Sequence, residues 1–529
     1  MSEALPFAPE ISPAEILPFA ARRHRDKCAL IVGEKRFTYI ELDTMSRQVA
    51  AALQHRGIGA GDVVSLYGQN SWEWIVGYHG ALRAGAVVNP INVMLTGPEL
   101  TYVLNDCQSG AVFAGSAQTA TAAAIMAETP SVKLFVEFGD APQEPAATPF
   151  SALLREGTAL LPTEVQHRPG DLCAIAYTSG TTGHPKGAMQ SHQAILLNCA
   201  LTATMHARSR DDIVVTALPA AHVYGNVAIN STFLVGGTVV LMERFDAAAA
   251  LGLIARERAT MFEGVPAMYS MILADDSLAA ADLRSLRLTT VGGQTFSVDT
   301  LRKWQQRSGV PMIELWGMTE LAGLGTTHSP YAPQVPGSIG VALPGVEIRI
   351  AALNSDSGDG DHQREAPVGE PGELQIRGPL VMLGYFGNPT ATEEVVLPDG
   401  WMRTGDIAYS DETRHFFVVD RLKDMIVTAG YNVYPAEIER VIASHPDVAM
   451  VAVGRRPDDV RGEIAVAYVV AKAGAHLRDS DILDHCRSGL AAYKRPRAVE
   501  FVDQLPTTAS GKIMRRKLGE LTEELRNTP

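Results

Sequence analysis

The sequence predicts an α/β protein, with a large N-terminal domain of stacked βαβ-type sheets and a smaller α+β C-terminal domain. Three observations carry this expectation. Short apolar runs alternate with helical patterns over residues 20–115, the rhythm of strands joined by crossover helices. The same rhythm returns over residues 170–350. The last ~110 residues read differently, as a small α+β unit. At 529 residues the chain is long enough for more than one domain.

The elements follow in order. Residues 62–67, DVVSLY, read as a buried strand. Ser71 is placed to cap a helix over residues 72–83, and residues 86–88 read as the next strand. The Pro-rich residues 141–150 read as a linker or surface crossing. Further strands are expected at 172–177, 213–217, 238–242, 288–291 and 311–315. Residues 353–372 form a polar loop. Its Asp356, Asp359 and Asp361 are spaced a little like a calcium loop, but the EF-hand spacing fails and no distal Glu follows, so a solvated loop is expected. In the C-terminal part, a strand at 416–419 precedes Asp420-Arg421-Leu422-Lys423-Asp424. A helix (435–444), strands (448–453 and 464–470), a second helix (480–490) and a basic tail follow. The domain boundary is expected near Lys423, giving domains of 1–422 and 423–529. No repeat of 20–50 residues is visible.

Composition narrows the function. Forty-five Lys and Arg against 59 Asp and Glu leave a net charge of −14, which argues against a nucleic-acid partner. The five cysteines (Cys28, Cys107, Cys173, Cys199 and Cys486) form no C-x-x-C pair, so free thiols in a reducing, cytoplasmic setting are expected. The N-terminus lacks the basic start and apolar run of a secretory signal. The most apolar stretch, residues 233–242, contains Gly236 and Gly237 and is far shorter than the about 20 residues a spanning helix needs. No integral membrane segment is expected.

Four motifs carry chemistry. Residues 177–189, YTSGTTGHPKGAM, set three glycines, four hydroxyl residues and Lys186 after a buried strand. Glycines let backbone N–H groups approach an anion, and the lysine adds a point charge; the reading is a loop that holds polyphosphate. It is not a Walker A loop, because Pro185 precedes Lys186 and Gly187 follows it. Second, Trp316-Gly-Met-Thr-Glu320 follows the strand at 311–315. A carboxylate at a strand's C-terminal end suits a magnesium ion bridging phosphates, and the adjacent ring can stack on a purine. Third, Arg403-Thr-Gly-Asp406 and Asp420-Arg421-Leu-Lys423 supply a carboxylate able to take both ribose hydroxyls and an arginine able to add donors, although a surface ion pair is the plainer alternative. Fourth, Pro506-Thr-Thr-Ala-Ser-Gly-Lys512 puts a lysine after a glycine, where it could enter a cleft and stabilise developing charge, or simply lie in a basic tail.

Together, in this order and from about residue 35 to 516, these motifs resemble the adenylate-forming superfamily of acyl-CoA synthetases, peptide-synthetase adenylation domains and firefly-type luciferases. The resemblance is closest to a free-standing acyl-CoA synthetase. It implies ATP, Mg²⁺ and CoA, an acyl-adenylate intermediate, and a C-terminal domain that is mobile between the two half-reactions. By motif match, Thr178, Ser179, Gly180, Thr181, Thr182 and Lys186 belong to the loop for the β- and γ-phosphates. Thr319 and Glu320 match the positions for the α-phosphate and magnesium, with Thr178 a further metal-site residue. Gly293 and Gln294, beside Gly292, match the segment lining adenine and the acid, with Trp316 and Gly317 following. Trp316 stands where the family usually has Tyr. Asp406 and Arg421 match the ribose ligands, Lys512 the lysine of adenylation, and Lys423 the hinge. Gly430 and Tyr431 match the pantetheine tunnel wall. His222 matches a position at the mouth of the acid pocket, against the alternative of a histidine capping a helix.

No phosphopantetheine-bearing domain follows residue 516, which favours CoA over a carrier protein as acceptor, and the C-terminal Ser-Lys-Leu tripeptide is absent. The segments expected to line the acid pocket are 223–230, 263–269, 292–296 and 321–326. They are mostly apolar and carry no Arg or Lys, which disfavours a dicarboxylate. Glu263 is a loose end among them, and Asn226 and Asn230 either meet a polar substituent or face the backbone. The expected substrate is a fatty acid of medium or long chain, with an aromatic acid as the alternative. The partners are therefore a small carboxylic acid and CoA, leaving a homodimer open. Lys186, Glu320, Asp406 and Lys512 are all present, which argues against a non-catalytic nucleotide binder.

Overall fold

The computed structural model describes residues 12–178, 184–294, 296–353, 364–429, 431–458, 460–472, 474–506 and 513–519. The chain forms two compact units. The first runs to Glu347 and takes back Ile376–Met402; the second comprises Ile348–Gln375 and the chain from Arg403 onward. The sequence-expected boundary at Lys423 therefore lies inside the second unit.

The first unit contains two large sheets. In the nine-stranded one, Met312–Met318, Leu288–Val291, Met261–Gly264, Ile213–Thr216, Thr238–Leu241 and Cys28–Val32 run parallel in that spatial order. Lys35–Thr38 closes one edge and Gly323–Thr327 with Val341–Ala342 the other, all antiparallel. The parallel strands are largely buried, as strands covered on both faces must be. One face of this sheet packs Val215, Phe262, Val291 and Met312 against Leu251, Tyr269 and Trp304. The other face packs Val214, Met261 and Leu288, in register, with Ile313 beside them.

The eight-stranded sheet has Val87–Pro90, Val63–Tyr67, Ser109–Ala114, Leu134–Glu137 and Thr148–Pro149 in parallel. Leu172–Thr178 joins Val87–Pro90 and is followed at once by an antiparallel partner, Lys186–Ser191. Gly384–Tyr385 extends the sheet beyond it. The helix expected after Ser71 is Trp72–Arg83, and the Ser71 hydroxyl accepts from the Trp74 N–H at 3.1 Å. The linker expected over 141–150 ends early. Thr148–Pro149 pairs with the sheet, and Phe150, fully buried, opens the helix Phe150–Thr158, because an apolar ring beside the proline has core to fill. The apolar run at 233–242 is the end of one helix, a turn at Gly236 (φ 81°), and the strand Thr238–Leu241. No helix among the described residues is long and apolar enough to cross a membrane.

The second unit has a four-stranded sheet, ordered Glu347–Ala352, Gly372–Arg377, Met402–Ser410 and Phe416–Arg421. Its other sheet is built on the hairpin of Val448–Asp458 with Gly462–Ala471, flanked by Ile426–Thr428, Tyr431–Val433 and Ala498–Phe501. Ile438 and Ile442 of the helix Pro435–Ala443, and Ile482 and Cys486 of Asp479–Gly489, fill the core against Val451, Val453 and Val469. Most of the calcium-like aspartate loop, residues 354–363, lies outside the described residues.

Candidate active site

The phosphate-loop motif is the connection of an antiparallel hairpin. Its strands end on a cross-strand pair, Thr178 opposite Lys186. The Thr178 hydroxyl donates to the Lys186 carbonyl at 3.4 Å. Ser179, Gly180, Thr181 and Thr182 lie outside the described residues. The base of the hairpin is anchored by Tyr177, whose hydroxyl donates to Asp106 Oδ2, and by His184 stacked on Tyr102 with ring centroids 4.3 Å apart. Burial, together with Cys107 and Asp106, pushes the Tyr177 phenol well above its ordinary range, so it stays a donor.

Glu320 sits on the tight turn Thr319–Leu321 that follows the strand Met312–Met318. The chain then doubles back through Ala322 in the left-handed region (φ 54°) into Gly323–Thr327. Three groups hold the turn. Gln190 Nε2 donates to the Thr319 carbonyl at 2.8 Å, the Met382 N–H to the Glu320 carbonyl at 2.8 Å, and Asn198 Nδ2 to the Leu321 and Leu324 carbonyls at 3.1 and 2.9 Å. Gly317 is required there, since a Cβ would lie 2.0 Å from the Gly323 carbonyl oxygen. Trp316 is buried, and its ring lies over Gly325, where a Cβ would meet it at 2.6 Å.

Tyr385 joins these parts. Its hydroxyl donates to Glu320 Oε1 at 2.8 Å, and Lys186 Nζ lies 5.2 Å from its ring centroid. Burial and the neighbouring Glu320 carboxylate push its phenol up. Sequence reasoning missed Tyr385. It is 65 residues from Glu320, and an aromatic residue after a glycine reads as core.

Gly292, Gly293 and Gln294 follow the strand Leu288–Val291, at the carboxyl edge where ligands bind in parallel α/β sheets. Gly293 takes φ 88°, and Gln294 is exposed. His222 caps the helix Val223–Val235, its Nδ1 accepting from the Tyr224 N–H at 3.3 Å, with the ring exposed. Glu263 is no loose end. Its carboxylate meets the guanidinium of Arg208, and both side chains are essentially fully buried. Asn230 donates to the Asn226 carbonyl at 3.0 Å, the backbone-facing alternative. Tyr269, expected along the acid pocket, is core, its hydroxyl donating to the Thr290 carbonyl at 2.7 Å.

In the second unit Asp406 and Arg421 are cross-strand partners, with Arg421 Nε 2.6 Å from Asp406 Oδ1. The carboxylate is buried and the arginine half-buried. Lys423 lies exposed on the turn Leu422–Asp424. Tyr431 is exposed and stacks on Tyr493 at 4.8 Å; Gly430 lies outside the described residues. Lys512 does too, but Pro506 and Met514 on either side of it are described. The Met514 N–H donates to the Pro506 carbonyl at 2.8 Å, and Arg515 Nη2 binds Glu439 Oε2 at 2.6 Å.

The donor set fits Mg²⁺. No cluster of three or more His, Cys, Asp or Glu able to hold a metal occurs among the described residues. Mg²⁺ is commonly held by one carboxylate together with substrate phosphates and water, and Glu320, oriented through one oxygen by Tyr385, has the hard oxygen chemistry for that part.

The chain matches the family model of AMP-binding enzymes over residues 17–386, and that of the AMP-binding enzyme C-terminal domain over 437–512. It is 36% identical over 497 residues to an indoleacetate–CoA ligase of Aromatoleum aromaticum, covering 94% of this chain and 95% of that protein. It is 33% identical to a long-chain-fatty-acid–CoA ligase of Bacillus subtilis, covering 97% and 94%. Among solved structures, an anthranilate CoA ligase in complex with anthranoyl-AMP superposes with a TM-score of 0.89 at 28% identity, over 98% of each chain. ATP-bound MatB from Rhodopseudomonas palustris gives 0.87 at 31%, over 97% of this chain and 100% of that one. A hairpin carrying the Thr178–Lys186 pair, a clamped acidic turn and a match spanning most of the chain agree, and the protein belongs to the family of AMP-binding enzymes.

Proposed function

We propose that this enzyme is an AMP-forming acid–thiol ligase, converting a hydrophobic monocarboxylic acid, fatty or aromatic, to its acyl-CoA. In the first step a carboxylate oxygen attacks the α-phosphorus of ATP, the bond to the bridging oxygen breaks, and pyrophosphate leaves. In the second, the CoA thiolate attacks the acyl carbon of the mixed anhydride and AMP leaves with the electron pair. The observation that carries this reading is the meeting of Lys186 and Glu320 on Tyr385, which places a cation and a carboxylate at the mouth of one hairpin.

Lys186, with Thr178, Ser179, Gly180, Thr181 and Thr182, would bind the β- and γ-phosphates. Thr319 and Glu320 would face the α-phosphate, and Glu320 with Thr178 would hold Mg²⁺. When bound, that ion would supply positive charge against the phosphates. Trp316 would stack on adenine beside Gly317, Gly293 and Gln294, and His222 would stand at the entrance for the acid. Asp406 and Arg421 would take the ribose, and Lys512 would stabilise charge during adenylation. Lys423 would be the hinge, and Gly430 and Tyr431 would line the path of pantetheine. The relatives named as indoleacetate and long-chain-fatty-acid CoA ligases support both acid classes. The five free cysteines support a cytoplasmic setting. A homodimer is tested by sedimentation equilibrium.

The testing experiment is pyrophosphate and AMP release from ATP and Mg²⁺ with a panel of acids, each with and without CoA. Sustained turnover that requires CoA is expected. Bound adenylate that CoA fails to discharge would overturn the choice of acceptor, and no pyrophosphate with any acid would overturn the reaction.

A further inference from the structure

The hairpin of Leu172–Thr178 with Lys186–Ser191 has two faces. Thr178 and Lys186 are cross-strand partners, and Ala188, next but one to Lys186, pairs with Tyr385; these side chains share one face. The opposite face carries Ile175, Tyr177 and Gly187. Tyr177 is the cross-strand partner of Gly187, and its ring lies on that glycine. A Cβ there would meet Tyr177 Cζ at 3.0 Å and Ile175 Cγ2 at 2.7 Å. The residue after Lys186 is thus pressed against an aromatic ring, and only a glycine permits so close an approach.

The face with Tyr177 packs on the helix Gly97–Asp106. Tyr177 joins Leu100, Val103 and Leu104 of that helix in one apolar cluster, and its hydroxyl donates to Asp106 Oδ2. One turn earlier on the same helix, Tyr102 carries the imidazole of His184. The two rings are nearly parallel, at 14°, with centroids 4.3 Å apart. His184 is exposed, so this stack adds little to the core. What it fixes is the backbone just before Lys186. The helix therefore holds the chain on both sides of Lys186, through His184 before it and through Tyr177 on Gly187 after it.

We propose that Tyr102, Asp106, Tyr177 and His184 are positioning residues for Lys186, a clamp by which the helix Gly97–Asp106 sets the place of the lysine against the terminal phosphates of ATP. The proposal rests on the reading above in which Lys186 binds the β- and γ-phosphates. Lysine is a point charge on a flexible stem, so its gain on phosphate depends on where its backbone is held. A strand end free to fray averages the distance between charges and weakens their attraction. Holding the backbone in advance removes part of that ordering cost from binding. The clamp therefore favours a nucleotide with phosphates beyond the first and is indifferent to one without them.

The test is calorimetric titration of the full chain with α,β-methylene-ATP and with AMP, each with Mg²⁺. The ratio of the two Kd values isolates what the β- and γ-phosphates add, and the wild type is expected to prefer the triphosphate. In His184→Ala the triphosphate should bind about 3- to 10-fold more weakly, the worth of one aromatic stack, with AMP unchanged. His184→Phe, which keeps a ring on Tyr102, should restore the ratio. Tyr177→Phe, which keeps the ring on Gly187 and drops the bond to Asp106, should lower it. KM for ATP should rise in step, while a supplied acyl-adenylate, which carries neither phosphate, should pass to CoA at the wild-type rate. An unchanged ratio in His184→Ala, an equal loss for both nucleotides, or no restoration by His184→Phe overturns the inference and leaves the ligase reading standing. A wild type that binds AMP and the triphosphate equally overturns the phosphate role of Lys186 and the inference together. Absence of pyrophosphate with every acid, beside a binding preference that His184→Ala lowers, overturns the ligase reading but not the clamp. Because His184 is exposed, its variants decide the question even if Tyr177→Phe fails to fold.

Discussion

Tyr385 binds Glu320 through its hydroxyl at 2.8 Å while its ring faces Lys186. One side chain therefore bridges the Lys186 cation and the Glu320 carboxylate, the groups proposed to meet phosphate and metal. In Tyr385→Phe the ring stays and the hydrogen bond goes. The expected outcome is a fall in kcat of about 10-fold and a higher Mg²⁺ requirement, because losing a support of a metal-binding carboxylate typically costs 10–100-fold. Pyrophosphate release titrated with Mg²⁺ measures both. Unchanged Mg²⁺ dependence would remove Tyr385 from this role.

Glu314 titrates in the neutral range. Burial pushes its carboxyl up to about 7, and the Gly337 N–H, donating at 2.8 Å, only partly opposes this. The folded protein then holds a proton between pH 4.5 and 7 that the unfolded chain has released. Stability contributed by this group is present at low pH, falls as pH rises through that window, and is flat above it. The shift from 4.5 to about 7 sets an upper size of about 3 kcal/mol. Glu314→Gln should flatten this slope and melt higher than the wild type at pH 8. Melting curves of both proteins from pH 5 to 8 check it, and parallel pH profiles would count against it.

Much of this architecture is legible in the sequence where local signals agree. Ser71 and the apolar pattern after it mark Trp72–Arg83, and the β-branched run at 288–291 marks its strand. The helix His192–Met205 is not legible, because Ile195, Leu196, Asn198 and Cys199 are all buried and no polar face is left to set a period. Lys186–Ser191 is hidden because a Gly-rich loop gives no sign that its far side returns as an antiparallel strand. Glu320 and Lys186 are readable as motifs, whereas Tyr385 reaches them only through tertiary pairing of Gly384–Tyr385 with Lys186–Ser191. Arg208 is the least legible. It sits in a run with Arg210, Asp211 and Asp212 that reads as a solvated turn, yet its side chain is fully buried.

That burial predicts an asymmetry. Arg208→Met alone leaves the Glu263 carboxylate buried without its cation and should cost about 3–5 kcal/mol. The double variant Arg208→Met/Glu263→Leu replaces the pair with apolar groups of similar bulk and should recover most of that loss. Thermal melting of wild type, single and double variants checks it. A double variant less stable than the single would show that the hydrogen bonding of the pair, rather than its charge balance, holds the strands.

Lys512 lies in the sequence between Pro506 and Met514, whose N–H donates to the Pro506 carbonyl, and Arg515 is fastened to Glu439. Glu439 and Arg515 are both largely buried. If Lys512 acts on charge developing at the α-phosphate, Lys512→Ala should abolish pyrophosphate release yet leave the discharge of a supplied acyl-adenylate onto CoA largely intact. Arg515→Gln keeps the lysine but loosens its anchor, so adenylation should fall by a smaller factor with the second step again spared. The two half-reactions are measured separately, by pyrophosphate release and by acyl-CoA formation from synthetic adenylate. Equal loss in both would mean that the loop supports the fold of the second unit rather than the first chemical step.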